Sequence, residues 1–423
     1  MTKLLWTQRS DFGASRRYAG AASYDSNRSR TVVFGGYSNT NSALGDTWEW
    51  DGSLWTQMQD IGPSARAYSS MVFDSTRQVS VLFGGVSGVA LSIPLGDTWQ
   101  WDGANWTQLS ASGPTPRSNH AMAYDSNRKR VVLFGGSPAD AGLIAGGVAL
   151  SDTWEFDGVD WIQQEDTGPA GRYGHSMAFD SANNRVVLFG GSNNAPAGSF
   201  QDTWAWDGNE WAQIAEFGPS VRSYASMASA GGSNMILFGG TDSASAPLAD
   251  TWEFDGKLWT QWQDIGPGPL SQAQAAFDTA RGRVVLFGGL LPTVAGGPIA
   301  SGSTWECPVP PSTPAPPAGG GVSVASLTSS AAGVVNLMGI PITVIATLSG
   351  PAPVGGVVVN FSGPAGTGNN GSNSTWTPVT VAAGGLTATT TANVGQQQID
   401  TQLIITAQIA GTPPVTTTVV TGP

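Results

Sequence analysis

The sequence is poor in the residues that most metal, redox and nucleic-acid chemistry requires. Its 423 residues include one cysteine, Cys307, and two histidines, His120 and His175. A single cysteine excludes an intrachain disulfide and any cysteine-rich metal knuckle. Only three lysines are present (Lys3, Lys129 and Lys257), and the formal net charge is -12. That balance excludes the clustered basic surface needed to grip nucleic acid or anionic lipid. The longest apolar stretch, residues 333–348, contains Asn336 and Pro341 and is too short and polar to cross a bilayer. No basic segment followed by an apolar one opens the chain, so no secretory signal is expected.

What is abundant points to strands and turns. There are 57 glycines and 27 prolines, and only 11% of residues are charged. An apolar run ending in Gly-Gly occurs six times, closing at Gly36, Gly85, Gly136, Gly191, Gly240 and Gly289. Each is followed by a variable loop and a Thr-Trp, at Trp48, Trp99, Trp154, Trp204, Trp252 and Trp305. In the first five copies an Asp precedes the Thr, an Asp-Gly follows, and a WTQ-like triplet comes next. Self-similarity with a period near fifty residues is the mark of a repeat fold.

Each unit reads as four short strands, a to d. Strand b (RVVLF) is apolar on both faces and is therefore buried on both. In strand c, Trp48 and Trp50 are two apart and share a face. The a–b turn carries Asp25, Asp74, Asp125, Asp180 or Asp278, and the c–d turn carries Asp-Gly; both are hairpin chemistry rather than calcium loops. A repeated four-stranded antiparallel unit of this length is a propeller blade.

The Gly-Gly, the later Trp, the Asp-Gly and the second Trp, in order over residues 4–307, resemble the kelch repeat. The segments Arg117-Ser118-Asn119-His120 and Arg172-Tyr173-Gly174-His175 are similar to its bacterial form. The sixth unit runs from Trp305 into CPVPPSTPAPPAGGG without a strand d, whereas an orphan Trp6-Thr7-Gln8 stands near the start. The orphan is expected to supply the missing strand and close a six-bladed ring, removing an open edge. The predicted fold is all-β: a propeller over 1–307, a Pro/Gly-rich linker over 308–321, and an immunoglobulin-like sandwich over 322–423. The last is similar in texture (SGPAPVGGVVVNFSG) to bacterial immunoglobulin-like modules of surface proteins and phage virions.

Connectivity places the d–a and b–c loops at one end of the blades and the two Asp hairpins at the other. Arg17, Arg66, Arg117, Arg172 and Arg222 recur in the d–a loop, with Leu270 in the sixth unit. The kelch resemblance implies that such arginines can hold a peptide, although packing against the neighbouring blade explains a repeated Arg equally simply. The b–c loops vary in length and carry Leu91, Ile93, Leu143 and Ile144. These nine residues are the expected ligand-binding set, suited to an acidic glycan or a carboxylate-bearing peptide.

No catalytic residue, metal site or cofactor is expected. The kelch resemblance brings a copper oxidase and sialic-acid epimerases into comparison, but two histidines and one distant cysteine do not make the oxidase's ligand set. No GxSxG motif suggests a hydrolase. The predicted function is a non-catalytic binding or adhesion protein, outside the cell, with a protein or glycan ligand and no nucleic-acid or membrane partner. A virion or fibre component, with the apolar loops making assembly contacts, is the alternative, and a carbohydrate-active enzyme is a second. Two tryptophans lack counterparts in the repeat: Trp262 and Trp376.

Overall fold

The computed structural model describes residues 6–10, 13–58, 61–88, 93–109, 112–138, 149–164, 167–193, 198–215, 218–262, 266–294 and 297–309, and the backbone of seven strands beyond them. The chain divides into two compact units, Met1–Thr313 and Pro314–Pro423.

The first unit is a six-bladed propeller. Blade 1 consists of Ala21–Asp25, Arg30–Phe34, Thr47–Trp50 and Trp55–Gln57, paired in that order, and blades 2 to 5 repeat the pattern. Blade 6 takes Gln274–Asp278, Arg283–Phe287 and Thr304–Pro308 from the end of the unit. Its fourth strand is Thr7–Ser10, with Thr7 opposite Glu306 and Gln8 opposite Trp305. The orphan triplet thus does what its position predicted.

Among the described residues the axis holds a channel rather than a central core. The apolar residues of the blades instead form six parcels, one at each junction between neighbouring blades, and a seventh, of Tyr18, Ala19, Tyr37, Ala67, Val86 and Ala300, lies among the loops. This explains why strand b is buried on both faces: Val32 and Phe34 pack toward blade 2, Val33 packs toward blade 6, and all three are fully buried. The d-strand Trp spans every junction. Its indole N–H donates to the first Thr of the preceding blade's c strand: Trp55 to Thr304, Trp106 to Thr47, Trp161 to Thr98, Trp211 to Thr153, Trp259 to Thr203 and Trp6 to Thr251, all at 2.8–3.0 Å.

The Asp residues are turn formers, as expected. Asp25 Oδ1 accepts the amides of Asn27 and Arg28, and Asp51 Oδ1 those of Ser53 and Leu54. The Gly-Gly pair is required by backbone shape. Gly35 and Gly36 have φ of 63° and 100°, and a Cβ on Gly35 would lie 2.5 Å from the Arg66 carbonyl oxygen.

In the second unit, Val324–Ser329, Pro341–Leu348 and Thr387–Asn393 form one antiparallel sheet. Val379–Val381, Val357–Ser362, Gln402–Ile409 and Val415–Val420 form another. Trp376 lies outside the described residues.

Candidate functional site

The five repeated arginines do not face solvent. Arg17, Arg66, Arg117, Arg172 and Arg222 are essentially fully buried, each forked onto the Asp that precedes its blade's Thr-Trp. Arg117 Nη1 and Nη2 reach the two carboxylate oxygens of Asp152 at 2.6 and 2.8 Å, and Nη1 also donates to the Gly135 carbonyl at 3.0 Å. Asp46, Asp97, Asp202 and Asp250 hold the other four in the same way. Burial alone would push these carboxyls up, but the guanidinium hydrogen bonds and charge outweigh it and hold all five below their ordinary value.

The expectation that these arginines bind a ligand is therefore corrected. Their donors are used inside the protein, and the repeat preserves them to lock the b–c loop onto the d–a loop. Blade 6 supports this reading, because Leu270 replaces the Arg and Ser303 stands where the Asp would be. Both charges are missing together, so neither is left buried alone. Of the apolar set, Ile93 is 62% exposed within the short Val86–Ser87/Ile93–Pro94 ribbon, where it pairs with Ser87. Leu91, Leu143 and Ile144 lie outside the described residues.

Two residues beyond each arginine position, a second feature appears. Ala19, Tyr68, Asn119, Gly174, Tyr224 and Gln272 all adopt left-handed backbone, with φ of 54–61°. Each amide donates to the carbonyl of the equivalent residue in the preceding blade. Ala19 bonds to Gln272, Tyr68 to Ala19, Asn119 to Tyr68, Gly174 to Asn119, Tyr224 to Gly174 and Gln272 to Tyr224, at 2.6–3.0 Å. The six bonds close into a ring around the axis. Ala19, Tyr68, Tyr224 and Gln272 are neither Gly nor Asn, and left-handed backbone costs such residues about 1–2 kcal/mol each, a cost the ring of bonds offsets.

Tyrosines cover this ring. Ring centroids run Tyr18–Tyr37 5.7 Å, Tyr37–Tyr68 5.8 Å, Tyr68–Tyr224 6.3 Å and Tyr224–Tyr173 6.3 Å. Tyr68 and Tyr224 belong to opposite blades, 2 and 5, so the row crosses the axis. Five of the chain's seven tyrosines lie in it. Tyr68, Tyr173 and Tyr224 are partly exposed, Tyr18 and Tyr37 are buried, and Tyr68 Oη donates to Gln272 Oε1 at 3.1 Å. Gly174 makes room, since a Cβ there would lie 2.9 Å from the Tyr224 ring.

Below the ring runs the central channel, of about 540 Å³, lined by the six a strands. His120 and His175 stand at its top, 94% buried, edge-on to Phe83 and Phe134 at 5.5 and 5.6 Å. None of their ring nitrogens meets a protein partner in hydrogen-bond geometry. Burial, then the neighbouring Arg117, pushes His120 down to about 3, with Asp152 and the nearby Phe83 carbonyl opposing. His175 is pushed well below its ordinary value by burial, Arg172 and His120. Both are neutral imidazoles. Among the described residues, no group of three or more His, Cys, Asp or Glu could hold a metal ion.

The known proteins complete the picture. The KLHDC2/KLHL20/DRC7 Kelch-repeats domain matches this sequence over residues 1–165 and 97–289. This chain belongs to the kelch-repeat family. A solved structure titled "Structure of YjhT" is similar at 14% identity and a TM-score of 0.55, covering 69% of this chain and 95% of that one. At that identity the likeness shows the fold alone. No curated protein matches.

Within the kelch pattern, the arginine position drew attention because it repeats. The residues that distinguish this propeller lie one to three places after it, where the repeat varies: Tyr18 and Tyr173, then Tyr68, Asn119 and Tyr224, then His120 and His175. Variation on a regular scaffold was the readable signal. Trp262 has a different explanation. In blades 1, 2 and 4 the second c-strand Trp donates to a Glu of the preceding blade: Trp50 to Glu306, Trp101 to Glu49 and Trp206 to Glu155. Blade 6 has Cys307 in place of that Trp, and Trp262 supplies the missing donor to Glu253 at 2.9 Å.

Proposed function

We propose that this chain is a non-catalytic binding protein whose partner docks on the face bearing the d–a and b–c loops. The observation that carries this reading is the tyrosine row across the channel mouth. Tyr offers a large, rigid, amphipathic contact at low entropic cost, and it is enriched among the residues that dominate interfaces. A kelch propeller is suited to protein recognition, and the partly exposed Tyr68, Tyr173 and Tyr224, with the buried Tyr18 and Tyr37 packed behind Tyr68, form a preorganised surface. With the arginines engaged internally, the docking surface is aromatic rather than cationic.

We read the second unit as an immunoglobulin-like spacer. Its three-stranded and four-stranded sheets suit that reading, as does a Pro/Gly-rich stretch at the boundary. An acidic, Cys-poor composition suits exposure outside the cell.

The test is a binding screen of the full chain against cell-surface proteins and a glycan array, with Tyr68→Asn/Tyr224→Asn as the comparison. Asn tolerates left-handed backbone, so the ring is retained. Loss of two anchor residues is expected to weaken a true partner on the order of thirtyfold or more. Equal binding by a folded double variant would place the site elsewhere. An absence of any partner would favour a purely structural role.

A further inference from the structure

The tyrosine row is set in a face whose exposed charges are almost all acidic. In five blades the d–a arginine side chain is 0–1% exposed, while the aspartate it grips keeps 18–21% of its side chain in solvent. Each pair is neutral as a whole, but its negative end is the one turned outward. These carboxyls are held below their ordinary value, so they stay charged through the neutral range. Asp242, in the b–c loop of blade 5, is a sixth and is partly exposed. Among the described residues of the d–a and b–c loops, Arg16 is the one exposed cation. In sequence the same loops add further acidic residues, among them Asp60, Glu165, Asp166, Glu216 and Asp264, and no further lysine or arginine.

The centre of this face differs from its surround. A depression of about 120 Å³ lies there, framed by Tyr68, Tyr224, Gly174 and Gln272, and none of the described residues lining it is Asp, Glu, Lys or Arg. Small-molecule pockets span about 300–1,000 Å³, so this one is sized for a side-chain tip carried by a larger partner. A lysine ammonium is compact and strongly hydrated, and it would lose its water here without a carboxylate in contact. An arginine guanidinium is planar and more weakly hydrated, and it stacks on aromatic faces, whose π clouds attract it. The acidic surround favours the approach of a cation and opposes that of an anion.

We propose that the partner is a protein presenting a basic segment, with one arginine guanidinium seated against Tyr68 and Tyr224. This rests on the docking of a partner at the tyrosine row and supplies that partner's chemistry. It reverses the sign of ligand charge that the repeated arginines suggest when read from sequence.

The experiment uses the full chain with 3-fluorotyrosine at its seven tyrosines, read by ¹⁹F NMR and assigned with single Tyr→Phe variants. The probes are capped Gly-Ser peptides bearing one central arginine, or citrulline, lysine or aspartate in its place. Calorimetry on the unlabelled chain checks the same affinities. The arginine peptide is expected to shift Tyr68 and Tyr224 saturably. Tyr24 and Tyr124, beside the a–b hairpins, should stay in place. Citrulline keeps the shape and loses the charge, so its peptide should bind about tenfold more weakly. The lysine peptide should also be weaker, and the aspartate peptide should not bind. Raising the salt from about 0.1 M to about 1 M should weaken the arginine peptide. Tyr68→Asn/Tyr224→Asn should weaken it about tenfold, followed at Tyr173. The proposal is overturned if the arginine peptide moves neither resonance, or if the citrulline, lysine or aspartate peptide binds as tightly. In the second case the tyrosine row still docks a partner and the charge assignment alone fails. In the first, the binding screen with the full chain decides the docking reading separately.

Discussion

The Trp6 indole N–H donates to the Thr251 hydroxyl at 3.0 Å across 245 residues of sequence. It repeats a bond found at the other five junctions, but here it joins the first described residue to blade 5 and closes the ring. Trp6 is buried beside Phe238, with ring centroids 5.4 Å apart. Trp6→Ala should cost about 3–5 kcal/mol, and Thr251→Val about 1 kcal/mol. Denaturant unfolding of the propeller measures both. A Trp6→Ala variant as stable as the wild type would mean that the closure is not as described.

The Arg117–Asp152 pair predicts strong non-additivity. Removing the guanidinium alone, as in Arg117→Leu, leaves a largely buried carboxylate and should cost about 3–5 kcal/mol. Adding Asp152→Ser reproduces the Leu270/Ser303 combination of blade 6 and should recover much of that loss. A double-mutant cycle by chemical denaturation decides the matter, and simple additivity would contradict the locking role.

Acid should destabilise the propeller in two stages. His120 and His175 are depressed in the fold, so the unfolded chain takes up their protons first. Their contribution is full above the unfolded value of about 6.5 and falls as the pH drops from there toward about 3, the value for His120. The slope should be about 1.4 kcal/mol per pH unit per histidine. The five depressed aspartates add a second loss below about pH 4. His120→Phe/His175→Phe should abolish the first stage and keep the second. An unchanged profile would contradict the burial of the imidazoles.

Cys307 is fully buried, and burial, with the Glu253 charge beside it, pushes its thiol up to about 12. It should resist a thiol reagent at pH 8 for as long as blade 6 stays folded, with a labelling rate that tracks unfolding. Immediate labelling of the native protein would show an exposed c strand.

Much of this fold could be read in the sequence because a repeat states each rule several times. The Gly-Gly turns, the Asp hairpins and the orphan Trp6-Thr7-Gln8 all behaved as their chemistry required. The site was harder to read, since residue type does not disclose burial. An arginine in a d–a loop can face solvent or turn inward, and Arg117 turned inward because Asp152 lay thirty-five positions ahead to receive it. The clue was the joint absence of Arg and Asp in blade 6. The tyrosine row could not be foreseen from spacing, because Tyr68 and Tyr224 meet only when six blades bring opposite loops to one axis. Trp262 likewise made sense only beside Cys307 and Glu253.

The central claim is that recognition uses the tyrosine row while the arginines serve the scaffold. It is tested most directly by measuring one partner's affinity for three folded proteins: wild type, Tyr68→Asn/Tyr224→Asn, and Arg117→Leu/Asp152→Ser. The account predicts a loss on the order of thirtyfold for the tyrosine variant and an affinity within about twofold of wild type for the arginine–aspartate variant. The opposite pattern, with affinity lost alongside Arg117 and kept without the tyrosines, would contradict it.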